Sequence, residues 1–253
     1  MKRTQWLLVP ALVAGTCALS VPPVATAVDR GCGPPAGILD LTNWKETLPT
    51  GSSGHPTEVK QPELRTYSAD PWFTPNARCD GVQFRAAVNG VTTSGSSYPR
   101  SELREMIGNG SREASWSTTS GTSIMEIDQA VTYLPHDKAH VVAGQIHDQK
   151  DDVTVFRLEG SKLYVTKGDD THYKLVDDSY QLGTRFTAKF VAGKGQIKAY
   201  YNGMLVATIK VDSSSDYFKA GAYTQANCGN SSPCKENNYG EVVIYGLTVS
   251  HQN

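Results

Sequence analysis

The chain has 253 residues, with 24 Lys or Arg against 25 Asp or Glu. That near-neutral balance excludes the broad basic surface typical of a nucleic-acid binder, while an anionic ligand stays compatible if basic side chains cluster locally. The length suits one domain with a full core.

Residues 1–27 read as a secretory signal peptide. Lys2 and Arg3 open it, Trp6 to Ser20 is almost wholly apolar or small, and Ala25-Thr26-Ala27 has the small-x-small pattern of a cleavage site. The apolar run is too short and too interrupted for a membrane span. No later segment is apolar enough to cross a bilayer, so residues 28–253 are expected to form a single secreted domain, off the membrane and monomeric. After loss of Cys17 with the leader, Cys32, Cys79, Cys228 and Cys234 remain. An even set in an exported chain points to two disulfides, with three pairings open. The loop-like Gly-Asn-Ser-Ser-Pro between Cys228 and Cys234 favours that local pair, and with it Cys32–Cys79. Zinc is the weaker reading, because no Cys-x-x-Cys spacing is present.

Period-2 patterning then dominates. It predicts strands at Val82–Val88, Tyr98–Met106, Ser123–Tyr133, His140–His147, Val153–Leu158 and Lys162–Thr166. Further strands follow at Thr184–Val191, Gln196–Tyr201, Leu205–Val211, Tyr217–Gln225 and Glu241–Val249. Asn202-Gly203 is a strong tight-hairpin signal, and Gly90–Ser97 and His147–Asp152 read as loops. Many short antiparallel strands without a long helical period predict an all-β sandwich or jelly roll.

Three of these strands carry polar residues on one alternating face. Arg100, Glu102 and Arg104 share a face, as do Gln145 and His147, and as do Tyr217, Lys219, Tyr223 and Gln225. Lys198 and Tyr200 are expected to add to them in the same manner. Were these strands neighbours, one sheet face would form a groove for an extended anion. Each residue also has an ordinary reading. The arginines and Glu102 suit a solvated charge ladder, a lone His147 is more often structural, and the tyrosines often only pack. Asp148, Asp151 and Asp152 lack the spacing of a calcium loop and read as solvated. Coincidence of all three strands carries the functional reading.

Arg100-Ser101-Glu102-Leu103-Arg104-Glu105-Met106, Gln145-Ile146-His147 and Tyr217-Phe218-Lys219-Ala220-Gly221-Ala222-Tyr223-Thr224-Gln225 resemble, in order and separation, the three signature blocks of the polysaccharide lyase family 7 alginate lyases. Leu39-Asp40-Leu41-Thr42-Asn43-Trp44-Lys45 resembles that family's opening strand, so the likeness runs from about Ile38 onward. Thr224 stands where the family commonly has Asn. The resemblance implies a β-jelly roll of two antiparallel sheets whose concave face binds alginate. It implies Arg100, Gln145, His147 and Tyr223 as catalytic residues, Arg104 and Lys219 as groove contacts, and Glu102 as the group orienting the arginines. Within the family, Ile rather than Val between Gln and His accompanies activity on guluronate-containing polymer, and endo-acting cleavage is expected.

These residue types suit β-elimination from a uronate. Removing the C5 proton charges the adjacent carboxylate, which needs aimed donors, and Arg100 and Gln145 supply them. A base takes the proton and an acid protonates the departing C4 oxygen. His147 serves as base near neutral pH, Tyr223 as acid, and the scheme needs no metal or cofactor. A jelly-roll glycoside hydrolase is the first rival, but Glu126 and Asp128 lack the second carboxylate of such a motif. A non-catalytic lectin is the other rival, and it gives no reason for Gln145, His147 and Tyr223 to converge.

Overall fold

Alternating apolar residues flanked by turn sequences build seventeen strands among the described residues. A computed structural model describes Met1 and residues 31–252, so the leader expected at 1–27, Met1 apart, lies with Cys17 outside the described residues. In chain order the strands are β1 (Trp44–Ser52), β2 (His55–Val59), β3 (Phe73–Pro75), β4 (Val82–Ala87), β5 (Arg100–Ile107) and β6 (Arg112–Glu113). Then come β7 (Trp116–Ser117), β8 (Thr122–Tyr133), β9 (His140–His147), β10 (Asp152–Glu159), β11 (Lys162–Lys167) and β12 (Asp170–Asp177). The series ends with β13 (Phe186–Gly193), β14 (Gln196–Tyr201), β15 (Met204–Lys210), β16 (Ser214–Thr224) and β17 (Tyr239–Gln252).

Two antiparallel sheets result, and the fold is a β-jelly roll sandwich. One sheet runs β12-β11-β10-β9-β16-β5-β1-β2, with β6 and β7 joined to β5 and β16; the other runs β15-β14-β13-β8-β17-β4-β3. The core lies between them. Phe218, Ala220 and Ala222 of β16 and Leu103 of β5 face it from the first sheet, while Met125, Ile127, Phe186 and Phe190 face it from the second. Phe156 and Phe190 meet across the gap with ring centroids 5.1 Å apart. The other faces of β5, β9 and β16 are thereby left free for polar groups.

The disulfides are Cys32–Cys79 and Cys228–Cys234, the favoured pairing. Alternation does not mark β2, β3, β6, β7 or β12. Strands β3, β6 and β7 are only two or three residues long, and β2 and β12 are edge strands with few buried residues, so they lack the buried alternation that marks a strand in sequence.

Two glycines shape the middle of the first sheet. At Gly144 (φ +92°) the alternation of β9 is interrupted, so Ala143 and Ile146 both reach the core. A Cβ there would come within 2.7 Å of Ile127 in the facing sheet. At Gly221 (φ +142°) a Cβ would fall 2.5 Å from the Ser101 carbonyl and 2.8 Å from the Glu102 Cα. Gly221→Ala should therefore part β16 from β5. Backbone strain alone costs on the order of 1–3 kcal/mol, so thermal denaturation should show a clearly lowered midpoint. An unchanged midpoint would mean the strands accommodate the methyl group.

Candidate active site

The site starts from strand pairing. Lys219 of β16 stands opposite Arg104 of β5 on one side and Gln145 of β9 on the other, and Tyr223 stands opposite Arg100 and Val142. Glu102 stands opposite Gly221. Gly221, without a side chain, lets the β16 backbone approach β5 closely at Ser101 and Glu102.

Glu102 is fully buried yet completely surrounded by donors. Lys219 Nζ lies 2.5 Å away and Arg100 Nη1 3.3 Å away. Gln145 Nε2 donates to its other oxygen. Burial would raise this carboxyl, but Lys219 and Arg100 outweigh it and hold Glu102 below the ordinary carboxylate range. Lys219 responds the opposite way. Burial first, and then Arg100, push its ammonium down to about 8 despite the Glu102 carboxylate.

His147 closes one end of the cluster. Its Nδ1 lies 2.5 Å from the Asp148 carbonyl oxygen and 3.1 Å from Tyr217 Oη. A carbonyl only accepts, so Nδ1 carries the proton and Nε2 keeps its lone pair. The ring stacks on Tyr217 with centroids 5.3 Å apart, and the Arg104 guanidinium lies 3.9 Å from the centroid of the same Tyr217 ring. Burial, followed by the positive charge of Lys219, depresses the His147 pKa, so the imidazole is neutral at neutral pH. At the other end the Arg100 guanidinium sits 3.9 Å over the Tyr223 ring, and Tyr223 Oη lies 2.8 Å from Ser96 Oγ.

Structure thus brings Arg100, Glu102, Arg104, Gln145, His147, Tyr217, Lys219 and Tyr223 together. Gln225, just past β16, accepts from Arg157 of β10 at 2.9 Å and borders the same face. Lys198 and Tyr200 do not join them, which corrects the expectation from their alternation. They lie on β14 in the other sheet, where Ile197 and Ala199 turn into the core and these two side chains point away from it. Alternation gives the face of a strand but not its sheet. Ser96, Lys45 and Arg157 were missed. Ser96 sits in a loop without periodicity, Lys45 lies in the opening strand, whose alternation marks no polar face, and Arg157 is a charge set among apolar residues. Among the described residues no group of three or more His, Cys, Asp or Glu is placed to hold a metal ion, and no helix is long and apolar enough to cross a membrane.

A cationic sheet face holding a neutral histidine and a tyrosine around one buried carboxylate defines a site for an acidic polysaccharide. Comparisons with known proteins agree. Residues 39–251 match the alginate lyase family, and the chain belongs to that family, whose members are polysaccharide lyases. A crystal structure of the alginate lyase from Corynebacterium sp. is 63% identical, with a TM-score of 0.86 over 87% of this chain and 99% of that one. The polysaccharide lyase family 7 alginate lyase AlgAT5 is 52% identical, with a TM-score of 0.81 over 87% of this chain and 99% of its own. An alginate lyase of Klebsiella pneumoniae is 23% identical over 95% of this chain and 97% of that protein.

Two outcomes follow from the charges. Lys219 is a cation below about 8 and neutral above it, so the Michaelis constant for an anionic polymer should climb as pH passes about 8. The lowered His147 pKa places the acid-side fall of kcat/KM below the ordinary imidazole value of about 6.5. A pH series of initial rates reads both, and a Michaelis constant flat through pH 9 would deny Lys219 its contact. Separately, Glu102→Ala leaves two buried cations without a counter-charge. Losing one partner of a buried pair costs about 3–5 kcal/mol, which should appear as a lowered thermal midpoint together with loss of turnover.

Proposed function

We propose that this chain is a secreted, endo-acting lyase that cleaves guluronate-containing alginate by β-elimination at the face of β9, β16 and β5. The observation that carries the chemistry is the geometry of the cluster, with the buried Glu102 carboxylate holding Arg100, Lys219 and Gln145 beside a His147 whose Nδ1 is engaged by the Asp148 carbonyl. Each aligned donor keeps hydrogens to spare. Glu102 takes one hydrogen of the Gln145 amide, leaving another for a substrate carboxylate. Arg100 supplies a fixed positive charge, and together they stabilise the charge that builds as the C5 proton leaves.

His147 Nε2 is the free acceptor and serves as base where the C5 proton and the C4 oxygen lie on opposite faces of the sugar, as in guluronate. Tyr223 protonates the leaving oxygen. In mannuronate the two groups lie on the same side, and Tyr223 serves as both base and acid. Internal cleavage is supported by the position of the site, which has β10 to β12 on one side and β1 and β2 on the other. A polymer crossing the sheet meets protein in both directions. Guluronate preference rests on Ile146, which is buried in the core and so would act by packing beneath Gln145 and His147. Two disulfides suit an oxidising, extracellular location. The hydrolase reading loses its carboxylates, because Glu126 and Asp128 sit on the other sheet in ion pairs with Lys189 and Arg185.

The test is turnover on polyguluronate and polymannuronate, read as ultraviolet absorbance from the new conjugated double bond. Tyr223→Phe keeps the ring and removes the proton, so it should nearly abolish cleavage of both. His147→Asn should harm guluronate cleavage more than mannuronate cleavage. Circular dichroism checks the fold. Near-normal rates for Tyr223→Phe would overturn the assignment. Chelator dialysis should leave the rate largely intact.

A further inference from the structure

The cross-strand row that passes through the active site continues beyond it. Gln145, Lys219, Arg104 and Lys45 stand opposite one another on β9, β16, β5 and β1. With strands about 4.8 Å apart, the row covers ~14 Å across the sheet. A polyanion lying along it would meet three cations in succession. Two of them are already engaged by a carboxylate of the protein. Glu113, on the short β6, places Oε1 3.1 Å from Lys45 Nζ and Oε2 3.2 Å from Arg104 Nη2. Its side chain is 58% exposed, while those of Lys45 and Arg104 are 9% and 13% exposed.

One carboxylate bridging two cations is also how a bound uronate would sit. We propose that Lys45 and Arg104 form a seat for the carboxylate of a uronate residue remote from the bond being broken, and that Glu113 fills this seat until polymer displaces it. The reading rests on the lyase assignment above. Lys45 stays tied to Glu58 at 2.7 Å, and Glu58 is itself paired with Lys60 at 3.4 Å, so Glu113 in place offsets one of the two positive charges that the group would otherwise present. With Glu113 swung out, both are open to an anion. Arg104 does not depend on Glu113 for its position, since it lies over the Tyr217 ring and donates to the Glu105 carbonyl at 2.5 Å. The most exposed member of the cluster is thus the one that has to move, and its tether returns it when the polymer leaves.

Glu113→Gln and Glu113→Ala remove the competing charge from an exposed position. An exposed ion pair is worth little, so both should lower the Michaelis constant for alginate polymer only about two- to fivefold. Lys45→Gln should raise it. All three effects should vanish on oligomers too short to reach beyond Lys219. Calorimetry with the same oligomers, each substitution placed in the Tyr223→Phe chain, reads affinity without turnover. An unchanged or raised dissociation constant for Glu113→Gln and Glu113→Ala on long oligomers would overturn the seat, as would an equal change on short ones. Failure of the lyase reading looks different, because the unsubstituted chain would then release no unsaturated product from any uronate polymer.

Discussion

A carboxylate buried away from solvent has to be neutralised by its neighbours, and Glu102 is placed so that those neighbours are the cations and the amide of the candidate site. Taking one ion out of water costs several kcal/mol, recovered only with good geometry and full hydrogen bonding. Glu102 meets that demand with Lys219, Arg100 and Gln145. The constraint runs both ways. Without the carboxylate, Lys219 and Arg100 would be two close cations in a desolvated space, and Lys219 is already depressed to about 8 with it present. Gly221 lets β16 close on the β5 backbone at Ser101 and Glu102, so the tight strand pairing and the buried charge fall at one place.

The reverse face of β5 is pinned as firmly. Glu105, almost fully buried, accepts from the Trp116 indole, from the backbone N–H of Phe218 and from His251. Phe218 lies between Tyr217 and Lys219, so this contact holds the segment that presents both. Ser101 adds a second pin. Its hydroxyl lies 2.9 Å from the Trp72 carbonyl and 2.8 Å from Glu46. Burial pushes the Glu46 carboxyl well above the ordinary range, against the hydroxyl that Ser101 donates to it. Arg100 and Glu102 flank Ser101, so these contacts below β5 steady the charged residues above it.

What could be read in the sequence was whatever alternation encodes. The face shared by Arg100, Glu102 and Arg104, and the one shared by Tyr217, Lys219 and Tyr223, follow from strand geometry alone. Their meeting does not, because strand order is set by long-range pairing. Lys198 shows the cost, since its strand alternates as well as β16 and belongs to the other sheet. Ser96 was illegible for a different reason: a single hydroxyl in a Ser- and Gly-rich loop has no pattern to mark it. On β9, Gly144 breaks the alternation, so a strict period of 2 puts Val142 and Gln145 on opposite faces where the structure places Ala143 and Ile146 together in the core.

The same cations that attract the polymer also set the strength of the proposed base. His147 is depressed by burial, then by Lys219, with a further contribution from Arg100. In the empty site burial, reinforced by the positive field, favours the unprotonated ring, which readies it to accept a proton but also makes it a weaker base. Substrate carboxylates arriving at Lys219, Arg100 and Arg104 cancel part of that field. An imidazole relieved of nearby positive charge regains proton affinity, so His147 becomes a stronger base once uronates occupy the face. Binding and proton abstraction are then coupled through charge alone, without any movement of the strands. A base made strong by a fixed acidic neighbour would instead be protonated in the empty site and unready when the polymer arrives.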